Sequence, residues 1–195
     1  MPPLPTSLEE LRQALARGER HFRGLRLDDI DAGELDLAGC DLGGSWFRES
    51  RFGHAHLGGA RIEACSFQQA LLWGADLSAV HAARSLWHGA DLSGSRLQGA
   101  DFRSGLDQLT DLGKADFQGA DLSFALLQGA QLGGANLQGT CLYGANLAAA
   151  NLEGADLRGC DLRDCHLRGA SLVGAQREGS LLSEQQLAEL SLDAP

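Results

Sequence analysis

Large apolar residues recur along this chain at every fifth position. From Phe22 to Leu172 that makes 31 positions, of which only Asp107 is polar; Ala32 and Ala82 are small, and the other 28 are Leu, Phe, Ile or Trp. At 44% hydrophobic content such a run has a chance probability on the order of 10⁻¹⁰ or less. The residue two places before each large one is equally restricted: from Cys40 to Ala175 it is Ala, Ser, Cys, Thr or Gly, with Val80 the one larger exception. Each unit therefore offers one small and one large inward side chain, with Asp, Asn, Gln, Arg, Ser or Gly between, as in Ala90-Asp91-Leu92-Ser93-Gly94.

A period of five fits neither the 3.6 of a helix nor the 2.0 of a strand, so either element would scatter the leucines over every face. The pattern predicts a chain that turns a corner once per unit. A short extended piece places the inward residues, and Gly or a polar residue makes the bend. Stacked coils of that kind form a solenoid with parallel β-ladders, each coil touching chiefly its neighbours.

The A-(D/N)-L-x-x pattern, repeated from about His21 to Gly179, closely resembles the pentapeptide-repeat family over roughly four fifths of the chain. The resemblance implies an all-β fold, a right-handed quadrilateral parallel β-helix with four units per coil; periodicity alone does not distinguish a square from a triangle. About eight coils at a strand spacing of roughly 4.8 Å make a rod about 38 Å long.

A solenoid needs its ends covered, because an open parallel edge is a template for unwanted pairing. Ser7-Leu8-Glu9-Glu10 has the form of a capping box, and Leu8, Leu11 and Leu15 follow at helical spacing to about Arg17. Ser183-Glu184-Gln185-Gln186 repeats the form, with Leu187 and Leu190 on one face of a short helix. The expected organisation is an N-terminal capping segment over 1–19, the β-helix over 20–180, and a C-terminal helix and tail over 181–195. Leu187 and Leu190 are either a monomer's cap or a dimer contact; the resemblance slightly favours the dimer, since some members of the family pair through their C-terminal ends.

The repeat falters from Arg103 to Lys114, where Asp107 takes a core slot and Leu106, Leu109 and Leu112 break the local pattern. A loop is expected here. The phase of five resumes unchanged at Asp116-Phe117, so the segment either distorts two units or inserts ten residues. It is either a tolerated surface excursion or a functional loop.

Net charge is −10, with 26 acidic and 16 basic residues, which argues against direct nucleic-acid binding and against a polybasic membrane patch. No apolar run reaches the eighteen residues of a membrane span, and Met1 to Arg20 has no signal-peptide pattern. The protein is expected to be cytoplasmic, a location that the odd cysteine count also fits. Of the five cysteines, Cys40, Cys65, Cys160 and Cys165 occupy the small inward slot as core packing, and only Cys141 points outward. The six histidines lie mostly at outward slots without chelating spacing. No nucleophile elbow, P-loop or dinucleotide fingerprint occurs. The expectation is no enzyme, no cofactor, no metal and, in a rod packed along its axis, no pocket.

Two surface features remain. The slot before the large residue holds Asp36, Asp41, Asp76, Asp91, Asp101, Asp116, Asp121, Asp156 and Asp161, expected to stack as carboxylates along part of the rod and to bond backbone at the bends. Some members of the family mimic duplex DNA and bind DNA gyrase or topoisomerase. The resemblance thus implies Asp41, Asp76, Asp101, Asp116, Asp121 and Asp161 as the mimic's charges. Arg48, Arg51, Arg61, Arg96, Arg103, Arg158, Arg163 and Arg168 interrupt that face, and the repeat from Arg20 to Gly179 has 14 basic against 20 acidic residues.

The second feature is apolar residues in outward slots: Trp46, Leu71, Trp73, Leu86 and Leu126. At twenty residues per coil, Trp46 and Leu86 share one side of the rod and Leu71 and Trp73 the next, forming one patch around that edge; Leu126 joins unless the loop is a ten-residue insertion. Either the loop, a terminal segment or neighbouring arginine stems cover this patch or it is a contact site, for which tryptophan is a favoured anchor. Gln98, Gln118 and Gln138 are expected to form an amide ladder. The leading expectation is a non-catalytic scaffold or adaptor rod that binds an unidentified protein through Trp46, Leu71, Trp73 and Leu86. The alternative is the DNA mimic.

Overall fold

A computed structural model describes residues 3–103, 110–183 and 186. Each repeat unit finds its backbone acceptors in the coils on either side and at its own corner. In the unit that starts at Asp76, the Asp76 N–H donates to the Ala55 carbonyl one coil below (2.9 Å), and those of Leu77 and Ala79 donate to Arg96 and Gln98 one coil above (2.7 and 2.8 Å). The Val80 N–H turns back across the corner to the Leu77 carbonyl at 3.2 Å. The remaining donor, Ser78 N–H, is taken by the Asp76 carboxylate at 3.1 Å. No amide in the unit lacks an acceptor. The last of these bonds explains why Asp or Asn fills the slot before the large residue: its side chain serves the one N–H that the ladder does not reach.

Parallel bridges join residues twenty apart, such as His21 to Asp41 and Arg61 to His81. Among the described residues twenty-eight bridges, seven on each of four sides, tie eight coils together. The first side starts at His21, the second at Arg26, the third at Asp31 and the fourth at Asp36.

The register changes once. Leu86 bridges Asp111, Asp91 bridges Asp116, Arg96 bridges Asp121 and Asp101 bridges Leu126, each a separation of twenty-five. The segment is therefore an insertion of one five-residue unit, neither two distorted units nor ten added residues. A single unit preserves the phase of five, so periodicity could not reveal it. Beside the insertion, the buried hydroxyl of Thr110 accepts the Arg84 N–H at 2.8 Å and donates to the Arg103 carbonyl at 3.1 Å. Asp107 lies outside the described residues.

The core is one continuous column. Behind the second side the rings of Phe47, Phe67 and Trp87 stack coil upon coil, with centroids 5.2 and 4.4 Å apart. Trp87 shares its coil with Ala82, and Ala32 lies beneath Phe52, so a small residue sits near a large one and the cross-section stays filled. Its indole N–H donates to Ser85 Oγ at 2.6 Å, and Ser85 in turn donates to the Ala82 carbonyl. Polar atoms in the small slot bond in two ways: Ser85 and Ser95 turn to the carbonyls of Ala82 and Leu92, three residues earlier, and others reach one coil down. Ser45, Cys65, Thr140 and Cys160 donate to the carbonyls of Phe22, Leu42, Phe117 and Leu137, each twenty-three residues earlier.

Helix α1 (Leu8–Ala16) buries Leu11 and Ala14 against the first coil. Ser7 accepts the Glu10 N–H as N-cap, and the Glu10 carboxylate reaches back to the Thr6 N–H at 2.7 Å. At the other end Ser183 and Gln186 exchange side-chain to backbone bonds at 2.8 and 3.3 Å, a complete capping box. The buried Gln186 amide also donates to the Leu162 and Cys165 carbonyls at 2.6 and 3.0 Å. Leu187 and Leu190 lie outside the described residues.

Candidate contact surface

Trp46 stands on the second side, bridged to Arg26 below and Ser66 above. The guanidinium carbons of Arg26 and Arg48 lie 4.3 and 4.6 Å from its ring centroid. Arg48 is itself held by Asp28 at 2.6 Å, and Arg26 by the carbonyls of Gly24, Leu25 and Gly44. Arginine stems thus flank the indole without covering it, and it keeps 40% of its surface exposed. Leu86, on the same side with Ser66 between, is half-buried.

Leu71 lies on the third side between Arg51 and Asp91, 37% exposed. Trp73 follows it onto the corner, 46% exposed. Its ring meets that of His54 edge-on at 4.5 Å. Two glycines seat this pair: a Cβ on Gly53 would come within 2.9 Å of the indole, and one on Gly74 within 2.6 Å of the His54 ring. Each aromatic lies over the other's neighbouring glycine, packed against backbone where a side chain would leave it no room.

The structure therefore puts Trp46 and Leu86 on one side and Leu71 and Trp73 around the next. Leu126 does not join them, because the single-unit insertion moves it onto the first side above Asp101. The same shift removes Gln98 from the glutamine ladder: Gln118 donates to Gln138 at 3.2 Å, whereas Gln98 donates to Asp121 at 2.7 Å. Phe124 was missed from sequence. It is 60% exposed at the bend of the unit that starts at Asp121 on the fourth side, at φ 58, and packs edge-on against Tyr143 at 5.5 Å. A large ring in a slot usually held by Gly was the available signal.

The acids do not make one column. Asp41 and Asp101 lie on the first side, Asp116 on the third, and Asp76, Asp121 and Asp161 on the fourth. Of the nine outward aspartates named above, only Asp91 and Asp116 bridge each other. All nine accept the N–H two residues on, as Asp36 does from Ala38 and Asp161 from Arg163. Asp41 is paired with Arg23, Asp76 with Arg96, Asp101 with Arg103 and Asp161 with Arg163, at 2.7 to 3.0 Å. The guanidinium of Arg163 holds the Asp161 carboxyl below the usual carboxylate range, and Arg158 does the same for Asp156.

Cys40, Cys65, Cys160 and Cys165 are buried free thiols. Burial pushes them up, Cys40 to about 11 and the other three to about 12. Cys141 is half-exposed on the fourth side, 3.2 Å from Ser123 Oγ. Among the described residues no group of three or more His, Cys, Asp or Glu is placed to hold a metal, and no helix is long and apolar enough to cross a membrane. The expectation of no pocket needs correction at one end. A groove of about 950 Å³ opens between the extended Pro3-Leu4-Pro5 segment and first-coil residues that include Arg20, His21 and Arg23. The axis packs shut, but the helix and its leading segment do not seal the whole end.

The family model for pentapeptide repeats matches in eight copies, over residues 36–74, 70–104, 115–149 and 145–183. The gap between the second and third stretches contains the inserted unit. No curated protein matches the chain. Among solved structures, a trypsin-treated form of QnrB1, a plasmid-mediated fluoroquinolone resistance protein, is 22% identical over 88% of this chain and 96% of its own, with a TM-score of 0.41. HetL, a pentapeptide repeat protein involved in heterocyst differentiation regulation in Nostoc sp. strain PCC 7120, is 27% identical over 92% and 98%, with a TM-score of 0.26. A pentapeptide repeat protein of the Arabidopsis thaliana thylakoid lumen is 20% identical over 72% and 69%, at 0.26. Superpositions this loose carry no functional argument, and the assignment rests on the repeat itself: the chain belongs to the pentapeptide-repeat family, whose fold is a right-handed β-helix.

Proposed function

We propose that this protein is a non-catalytic rod that presents its surface to a protein partner, as a scaffold or adaptor, with Trp46, Leu71, Trp73 and Leu86 in the contact. The observation that carries the reading is Trp73, a half-exposed tryptophan clasped to His54 over two glycines. A ring already packed against backbone loses little side-chain entropy on binding, which suits an anchor residue. Trp46, flanked by arginines, supplies a second such platform. The buried free thiols support a reducing compartment such as the cytoplasm.

The test is affinity capture from the native host, comparing wild type with Trp46→Ala/Trp73→Ala. A defined partner lost with the two tryptophans supports the reading, and equal retention by both proteins contradicts it. DNA mimicry toward gyrase or topoisomerase makes a separate demand. Purified protein must perturb gyrase supercoiling at low salt and less at high salt. The pairing of four of the six candidate aspartates with arginine weighs against it.

A further inference from the structure

The third side carries a self-complementary pattern. Arg51 bridges Leu71, and Leu71 bridges Asp91, so an exposed leucine sits midway between a cation and an anion about 10 Å apart. Among the described residues Arg51, like Arg12, Arg84, Arg168 and Arg177, has neither an acid nor a carbonyl partner, whereas arginines such as Arg23, Arg48 and Arg96 are paired with aspartates. Asp91 uses Oδ1 for the Ser93 N–H and hydroxyl and has no arginine. Two unpaired opposite charges thus flank Leu71, one coil to either side, with Trp73 at the adjoining corner.

We propose that two copies of this chain associate through the third side, antiparallel, about a two-fold axis at Leu71. That axis sets Leu71 against Leu71 and Trp73 against Trp73, and it sets Arg51 against Asp91 of the second copy, twice. Two-fold contacts are isologous, so a single patch must complement itself, as this one does. The charges also choose the direction. A parallel pair would oppose Arg51 to Arg51 and Asp91 to Asp91, which like-charge repulsion disfavours. The next positions out, Asp31 and Asp116, meet as like charges in the antiparallel pair and confine the contact to the three central coils. A contact this short falls below about 1,200 Å² of total buried surface, the class of transient complexes. The inference rests on reading Leu71 and Trp73 as contact residues, and it names their partner as a second copy, distinct from pairing through the C-terminal end.

The experiment is sedimentation equilibrium of the full chain up to about 1 mM at low salt, the concentration range where so small an interface is populated. The expected weight-average mass rises from 20.6 kDa toward twice that value. Arg51→Glu and Asp91→Asn each raise the midpoint concentration about tenfold, the scale of one lost interfacial ion pair on each side of the axis. Arg51→Glu combined with Asp91→Arg restores it. Asp91→Asn keeps an acceptor for the Ser93 N–H, so an unchanged melting curve shows that charge and not folding was altered. A monomer at every concentration overturns the proposal. So does association that ignores these charges, or that is lost only in Leu187→Ser/Leu190→Ser. The two readings also separate: a rod that captures a host partner yet stays monomeric overturns this inference alone, and one that dimerises but captures nothing overturns the adaptor reading alone.

Discussion

The indole of Trp73 lies across Gly53, one coil below it, where any Cβ would come within 2.9 Å of the ring. Gly53 is not at positive φ, so alanine there is compatible with the backbone and acts on the indole alone. Gly53→Ala is expected to lift Trp73 off the surface and separate it from His54. NMR of the indole N–H signals checks this: the Trp73 resonance moves, and those of Trp46 and Trp87 stay in place.

Trp87 and Trp46 test the division between core and surface. Trp87 is fully buried against Phe67 and Phe102, so Trp87→Ala leaves a cavity and is expected to cost about 3–5 kcal/mol. Trp46→Ala removes a partly exposed ring that arginines flank, and is expected to cost about 1 kcal/mol or less. Chemical denaturation of both variants measures the contrast. Similar losses would mean that the outward tryptophan is structural.

The thiols divide in the same way. Burial holds Cys65, Cys160 and Cys165 near 12 and Cys40 near 11, leaving almost no thiolate at pH 8. Alkylation of native protein at that pH is expected to label Cys141 alone, and all five cysteines after denaturation. Mass spectrometry of the labelled peptides decides it; rapid native labelling of Cys160 would show that the last coils open.

Acid should weaken the fold. Asp28, Asp156 and Asp161 are held below their ordinary 3.8 by hydrogen bonds from Arg48, Arg158 and Arg163. The folded carboxylates bind fewer protons than the unfolded ones, so their contribution is complete above the unfolded value and disappears as pH falls through the folded values. The melting temperature is expected to hold from neutral pH to about 5 and to drop below about 4. Because the groups are exposed the drop is gradual, and Arg158→Gln/Arg163→Gln shrinks it.

The β-helix, the inward slots and both capping boxes were legible because each rests on local chemistry: a repeat of five, an N–H for Asp to serve, a Ser three residues before Glu or Gln. The inserted unit was not legible, since five added residues leave a period of five intact; only the bridge from Leu86 to Asp111 reveals it. That one shift misplaced Leu126 and Gln98. The proposed contact residues were named from outward apolar slots; Trp46, Leu71 and Trp73 are exposed, and Leu86 is half-buried. The clasp of Trp73 with His54 depends on how two rings settle over the glycines of neighbouring coils, and the free charges around Leu71 on which arginines find a partner, neither of which a repeat pattern states. The expected acidic column failed because successive members are 5, 10, 15 or 35 residues apart, which spreads them over different sides of a twenty-residue coil.

The central claim is that this rod works by presenting the edge around Leu71, Trp73 and Trp46 to another protein. Site-specific photo-crosslinking in the native host tests it most directly, with the crosslinker placed at Leu71, at Trp46 and, as a control on a coil far from the patch, at Asn151. The account predicts discrete crosslinked species from Leu71 and Trp46 and none from Asn151. Equal crosslinking from all three positions, or none from the first two, would contradict it.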